Sequence, residues 1–166
     1  MTLGELLARA ALRRPEAAAV VDGDRQLTYA ELDRRAAGVA GGVARLGVGT
    51  RDRVLIALKN RLEHVVAYWA LQKLGGVPTP VNFRFAAGEM KYVLEDSGAR
   101  VALFEESTAA AVLEAARGTS VRLVYVGEKA PANTIAFDDL LGSPVPVPEP
   151  RSTPKTGHRS TPQNRP

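Results

Sequence analysis

Cysteine is absent from the 166 residues, which excludes disulfides and thiolate-held metals and leaves the redox compartment unread. Only two histidines occur, His64 and His158. Neither has a second histidine at ligand spacing, so no metal site is expected and His64 reads as a structural or surface residue. No run approaches the ~20 consecutive apolar residues of a membrane span. The opening Met1-Thr2-Leu3-Gly4-Glu5 carries an acid where a secretion signal carries positive charge. A cytoplasmic protein without a membrane span is expected.

Acid is also missing from residues 151–166, which hold Arg151, Lys155, Arg159 and Arg165. Setting those four apart leaves 18 basic residues against 18 acidic ones, so the whole net charge of +4 belongs to the tail. Four dispersed cations with no aromatic residue among them make a poor nucleic-acid platform, and no nucleic-acid partner is expected.

What is present is an alternation of helical and extended patterns. Leu3, Leu6, Leu7, Ala10 and Ala11 recur at helical spacing behind a Thr2-x-x-Glu5 capping box, and Pro15 closes that helix. Ala17–Val21 and Gln26–Thr28 read as short strands joined by a hairpin turn at Asp22-Gly23-Asp24. That turn lacks the further oxygen ligands of a calcium loop. Tyr29 to Leu46 is helical, with Leu32, Ala36, Val39, Ala40 and Val43 on one face and Gly47 and Gly49 as the stop. Arg53 to Leu58 is a nearly continuous apolar run, the pattern of a strand buried on both faces of a parallel sheet.

Asn60 is the expected cap of a helix over Leu62–Leu74, where Tyr68-Trp69 could line an acyl pocket but Trp69 and Leu71 read more simply as core or interface residues. Val77–Val81 is a strand confined by Pro78 and Pro80 to an edge. Helix, strand, helix and strand follow over Ala86–Asp96, Ala99–Phe104, Ser107–Ala116 and Val121–Val126, with a short helical turn at Phe137–Leu141. The order predicts an α/β fold, a mainly parallel sheet flanked by helices over residues 1–142. Seven of the eleven prolines fall in residues 143–166, predicting a Pro-rich linker and a disordered basic tail there.

Three stretches carry a resemblance. Leu27-Thr28-Tyr29-Ala30-Glu31-Leu32 is similar to an "L-[ST]-Y-x-E-L" strand-to-helix junction. Lys73-Leu74-Gly75-Gly76-Val77-Pro78-Thr79-Pro80-Val81-Asn82-Phe83-Arg84 follows Asn60 and Glu63 at the spacing of a "K-x-G-[GA]-x-x-x-P-x-N-x-R" loop. Asp96-Ser97-Gly98-Ala99 is similar to a "D-S-[GE]-A" turn. Together they resemble, over about residues 3–142, the N-terminal region of the acyl-adenylate-forming, AMP-dependent synthetase/ligase superfamily, and within it the acyl-CoA synthetases. Where those often place Gly-Asp before the strand, this chain has Arg51-Asp52.

The resemblance implies a ligase that activates a carboxylic acid, with a fatty acid expected, to an acyl-AMP and then an acyl-CoA. ATP, Mg2+ and coenzyme A would serve the complete enzyme. The Ser/Thr/Gly-rich loop ending Pro-Lys-Gly and the catalytic lysine near the far C-terminus are not in this sequence. Ser152-Thr153-Pro154-Lys155-Thr156-Gly157 has similar residues in another order, with a single glycine and a proline that removes a donor.

The expectations are therefore a truncated or frameshifted N-terminal portion, inactive alone and binding no cofactor, with uncovered apolar surface prone to self-association. The alternative is a non-catalytic α/β module completed by a partner chain. No catalytic residue is assigned. Asn82 and Arg84, just past a strand at the end of the sheet where ligands bind, are the candidate cleft-shaping loop. A loop anchored by asparagine turn chemistry with a solvated arginine fits the same residues.

Overall fold

In the computed structural model, which describes residues 2–142, two threonines open the first two helices. Thr2 caps α1 (Leu3–Arg13) and Thr28 caps α2 (Tyr29–Arg45). In each, the threonine hydroxyl accepts from the glutamate N–H three residues on, and that glutamate's carboxylate accepts the threonine N–H in return. Such reciprocal capping satisfies two of the N–H groups that a helix start leaves without partners. Between these helices, β1 (Ala18–Asp22) and β2 (Arg25–Thr28) form an antiparallel hairpin. Gly23 takes the positive φ of 59° that the tight turn requires.

The remaining strands are β3 (Arg53–Ala57), β4 (Val77–Pro80), β5 (Val101–Glu105), β6 (Arg122–Val126) and β7 (Ile135–Ala136). They form one parallel sheet in the order β4-β3-β5-β6-β7. The connecting helices are α3 (Leu62–Leu74), α4 (Ala87–Ser97) and α5 (Glu106–Ala115), and a 3-10 turn (Phe137–Leu141) follows β7.

Period-two alternation divides the strand residues between two cores. Val54, Ile56, Leu58, Val101, Leu103, Val124 and Val126 pack with α1, α2 and α3 on one face. Leu55, Ala57, Ala102, Phe104 and Tyr125 pack with α4 and α5 on the other. Both faces of β3 and β5 are therefore dry, which explains the apolar runs 54–57 and 101–104 within them.

The β4 edge is open but chemically blunt. Val77 and Val81 donate to the carbonyls of Asp52 and Ile56 at 2.8 and 3.1 Å, so alternate residues of this segment face β3. Pro78 and Pro80, paired in register with Val54 and Ile56, turn their nitrogens to the free edge and have no N–H to offer.

On the opposite flank the 3-10 turn lies tightly on α2. A methyl group at Gly42 would meet Leu140 Cβ at 2.6 Å, and one at Gly38 would meet the Leu141 carbonyl oxygen at 3.1 Å.

The structure differs from expectation in three places. Asn60 does not cap α3: the cap is Arg61, whose side chain makes no cap bond. Asp22 Oδ2, from the hairpin, accepts the Leu62 N–H at 3.2 Å instead. The two-residue β7 was not anticipated, being too short to show a pattern. Several boundaries move by a residue, α4 ending at Ser97 and β5 running on to Glu105. The linker and basic tail expected over 143–166, with Ser152–Gly157 and His158, lie outside the described residues.

Candidate functional site

The strand order fixes where a site belongs. The connection β3-α3-β4 runs to one side of β3, while β5 and β6 return to the other side. The winding therefore reverses between β3 and β5. In open α/β sheets the crevice outside the carboxyl ends of the strands at such a reversal is where ligands bind. Here it is bounded by the turn Leu58–Arg61 after β3 and by Glu105 at the end of β5. A depression of about 660 Å3 lies at the other end of the sheet, against Gly98, Arg100, Gly118 and Arg122 in the helix-to-strand turns.

Glu105 fills the crevice. Its side chain is 8% exposed and receives three donors: the Lys59 N–H at 3.3 Å, the Arg61 guanidinium at 2.9 Å and the Ser107 hydroxyl at 2.7 Å. Burial pushes the carboxyl up, but these donors together hold it below the usual carboxylate range. Beneath it, the buried Thr108 hydroxyl donates to the Ala57 carbonyl at 2.8 Å and accepts the Glu105 N–H at 3.1 Å.

The ion pairs run outward from this point. Arg61 also binds Glu63 at 2.7 Å, Glu63 binds Arg25 at 2.8 Å, and Arg25 binds Asp22 at 2.7 Å. Burial would raise Glu63, but the guanidiniums of Arg25 and Arg61 override it and bring its carboxyl down to about 2. Asp22 is lowered by Arg25 and by the Leu62 N–H. The chain of charges ties the hairpin, the start of α3 and the end of β5 together.

Beside the crevice lies the expected loop. Asn82 Oδ1 accepts the Arg84 N–H at 3.0 Å, and the Asn82 carbonyl accepts the Phe85 N–H at 3.1 Å. Asn82 thus shapes the loop by turn chemistry. Arg84 is exposed, its guanidinium 5.4 Å from the centroid of the Phe83 ring, and Lys59 brings its ammonium to 5.8 Å from that ring. Neither cation is paired with an acid among the described residues. Two unneutralised cations beside one aromatic ring, at the carboxyl end of a parallel sheet, suit an anionic group.

Sequence reasoning singled out Asn82 and Arg84 but missed Lys59, Phe83, Arg61 and Glu105. Lys59 carried one readable signal, its place directly after a doubly buried strand. His64 is half-buried near the start of α3, its Nδ1 buried and without a hydrogen-bond partner. Tyr68 and Trp69 meet edge to face at 5.9 Å, with Trp69 against the core. Among the described residues no group of three or more His, Asp or Glu side chains is placed to hold a metal ion. No helix among them is long and apolar enough to cross a membrane.

An open parallel α/β sheet with cations beside its reversal point belongs to the class of domains that take ligands at the carboxyl ends of the strands. Residues 7–159 match the family model described as AMP-binding enzyme, and the chain belongs to that family. A long-chain-fatty-acid–CoA ligase of Thermus thermophilus is 38% identical over 128 residues, 74% of this chain and 24% of that protein. A feruloyl-CoA synthase of an Amycolatopsis species is 37% identical over 143 residues, 83% of this chain and 29% of that protein. The crystal structure of a benzoate CoA ligase from Burkholderia xenovorans superposes with a TM-score of 0.81 at 23% identity, over 92% of this chain and 30% of that one, a likeness of fold. The chain thus spans 24% to 30% of the length of these relatives.

Proposed function

We propose that this chain is the N-terminal portion of an acyl-CoA ligase. In its complete form the enzyme joins a carboxylic acid to AMP from ATP, releasing pyrophosphate, and then transfers the acyl group to the thiol of coenzyme A. The family match over residues 7–159 carries the reading. A fatty acid is the favoured substrate, supported by the relative from Thermus thermophilus; feruloyl-CoA synthase makes aromatic acids the class to test beside it. Lys59 and Arg84, gathered on Phe83, would contribute a docking point for the phosphates of ATP or coenzyme A.

In this reading the 166-residue chain has no ligase activity by itself. Its sequence lacks the glycine-rich run whose backbone N–H groups would converge on the phosphates, and the Leu58–Arg61 turn at the crevice has no glycine to substitute for it. The test is ATP–pyrophosphate exchange with palmitate and, separately, with ferulate. No exchange with either acid is expected. Exchange with palmitate would overturn the inactivity, and exchange with ferulate alone would overturn the choice of acid as well.

A further inference from the structure

We infer that Glu105 is the positioning residue of the cation pair, setting where Lys59 stands so that it can act together with Arg84 on one phosphate group. The inference rests on the phosphate-docking reading above.

The turn between β3 and α3 has little to hold it from within. It contains no glycine, and Arg61 provides no side-chain cap. Its geometry comes from two carboxylates outside it: Asp22, which accepts the Leu62 N–H, and Glu105, which accepts from both the Lys59 backbone and the Arg61 guanidinium. One nearly buried carboxylate thus grips residues 59 and 61 with its two oxygens. Only Asn60, exposed, stands between them.

Glu105 is itself fixed from two sides. The Ser107 hydroxyl donates to Oε1, and Thr108 anchors the Glu105 N–H to the Ala57 carbonyl at the end of β3. Lys59 therefore leaves a backbone position determined by the ends of two adjacent strands. From there its ammonium reaches the same ring that carries Arg84. The Arg84 side of the pair is set independently, by the Asn82 turn. A flexible lysine on an unheld turn would lose that convergence, because two cations share one anion only when their separation is set in advance.

This role can be told apart from a mere electrostatic neighbour by the sign of one effect. Glu105 is a negative charge close to a site for anions. If its charge were all that mattered, Glu105→Gln would tighten phosphate binding. If Glu105 positions the turn, the isosteric amide weakens binding, since its NH2 opposes the Arg61 donor and the grip on residues 59 and 61 is broken.

The experiment is a 15N-NMR titration of the whole chain at low salt with inorganic pyrophosphate, ATP and coenzyme A as separate probes. The wild type is expected to show shifts at Lys59, Phe83 and Arg84, and Lys59→Ala with Arg84→Ala is expected to abolish them. Glu105→Gln is expected to weaken binding about three- to ten-fold with the rest of the spectrum in place. Should that variant lose its native spectrum, Ser107→Ala, which frees one side of the carboxylate, is expected to weaken binding in the same direction. Shifts with ATP but not coenzyme A, or the reverse, identify which phosphates dock, and either supports the role. Wild-type shifts that Glu105→Gln leaves equal or strengthens overturn the positioning role alone. A wild type without shifts at these residues removes the docking reading and the inference with it.

Discussion

Arg51 has a backbone that a glycine would suit better. Its φ of 69° lies in the left-handed region, where an ordinary side chain costs about 1–2 kcal/mol. The conformation is held because the Arg51 N–H donates to the Gly75 carbonyl at 2.8 Å and the neighbouring Asp52 carboxylate accepts the Gly49 N–H at 2.8 Å. The exposed arginine side chain forms no ion pair among the described residues. Arg51→Gly removes the steric cost while loosening the unfolded chain, for a net gain of about 0.5–1 kcal/mol. A rise in Tm of roughly 1–4 °C in a thermal melt is the expected result; an unchanged or lower Tm would show that the turn bears no such cost. Here the residue that departs from the Gly-Asp pattern of the related synthetases is also the residue in the glycine-favouring conformation.

At the scale of elements, the sequence was readable wherever a run of side chains repeated with the backbone. The apolar face Leu32, Ala36, Val39, Ala40 and Val43 is buried as its spacing requires, and the two threonine boxes cap as their spacing requires. What stayed hidden was contact between distant segments. Asp22 caps α3 from 40 residues away, and Glu105 holds Lys59 from 46. No local pattern announces such a bond, so Asn60 was credited with Asp22's work. Asn82 and Arg84 were legible because turn chemistry is local, whereas Lys59 and Phe83 become partners only when β3 and β4 lie side by side.

The same scale bears on self-association. Pro78 and Pro80 strip the free edge of β4 of the donors that a second copy's strand would need. With Pro78→Val and Pro80→Val together, that edge regains two outward N–H groups. The double variant is expected to form dimers or larger species in sedimentation velocity at concentrations where the native chain does not. A variant sedimenting like the native chain would show that the prolines do not guard the edge.

For the whole molecule, the line of charges from Asp22 through Arg25, Glu63 and Arg61 to Glu105 joins the hairpin, a helix and the sheet. Each of its carboxylates is held below its ordinary value in the folded chain. Lowered carboxylates lend stability that is fully present above the unfolded value and is lost as they take up protons. For Glu63 that window runs from its ordinary 4.5 down to about 2. Urea unfolding followed from pH 7 to pH 2.5 is therefore expected to show stability falling steeply below about pH 4.5. Glu63→Gln should be less stable at pH 7 and show a shallower decline. Parallel curves for the two proteins would mean that the ion-pair line does not govern acid lability.

The fit of the 3-10 turn against Gly38 and Gly42 has a consequence in time as well as in space. The groove on α2 is complete once residue 42 is made, but the leucines that fill it arrive about a hundred residues later. At about 5–20 residues per second of synthesis, the bare glycine face of α2 waits roughly 5–20 seconds for Leu140 and Leu141. A nascent chain paused anywhere between β3 and β7 would present that face to whatever else is nearby, so the speed of translation belongs among the conditions under which this domain folds well.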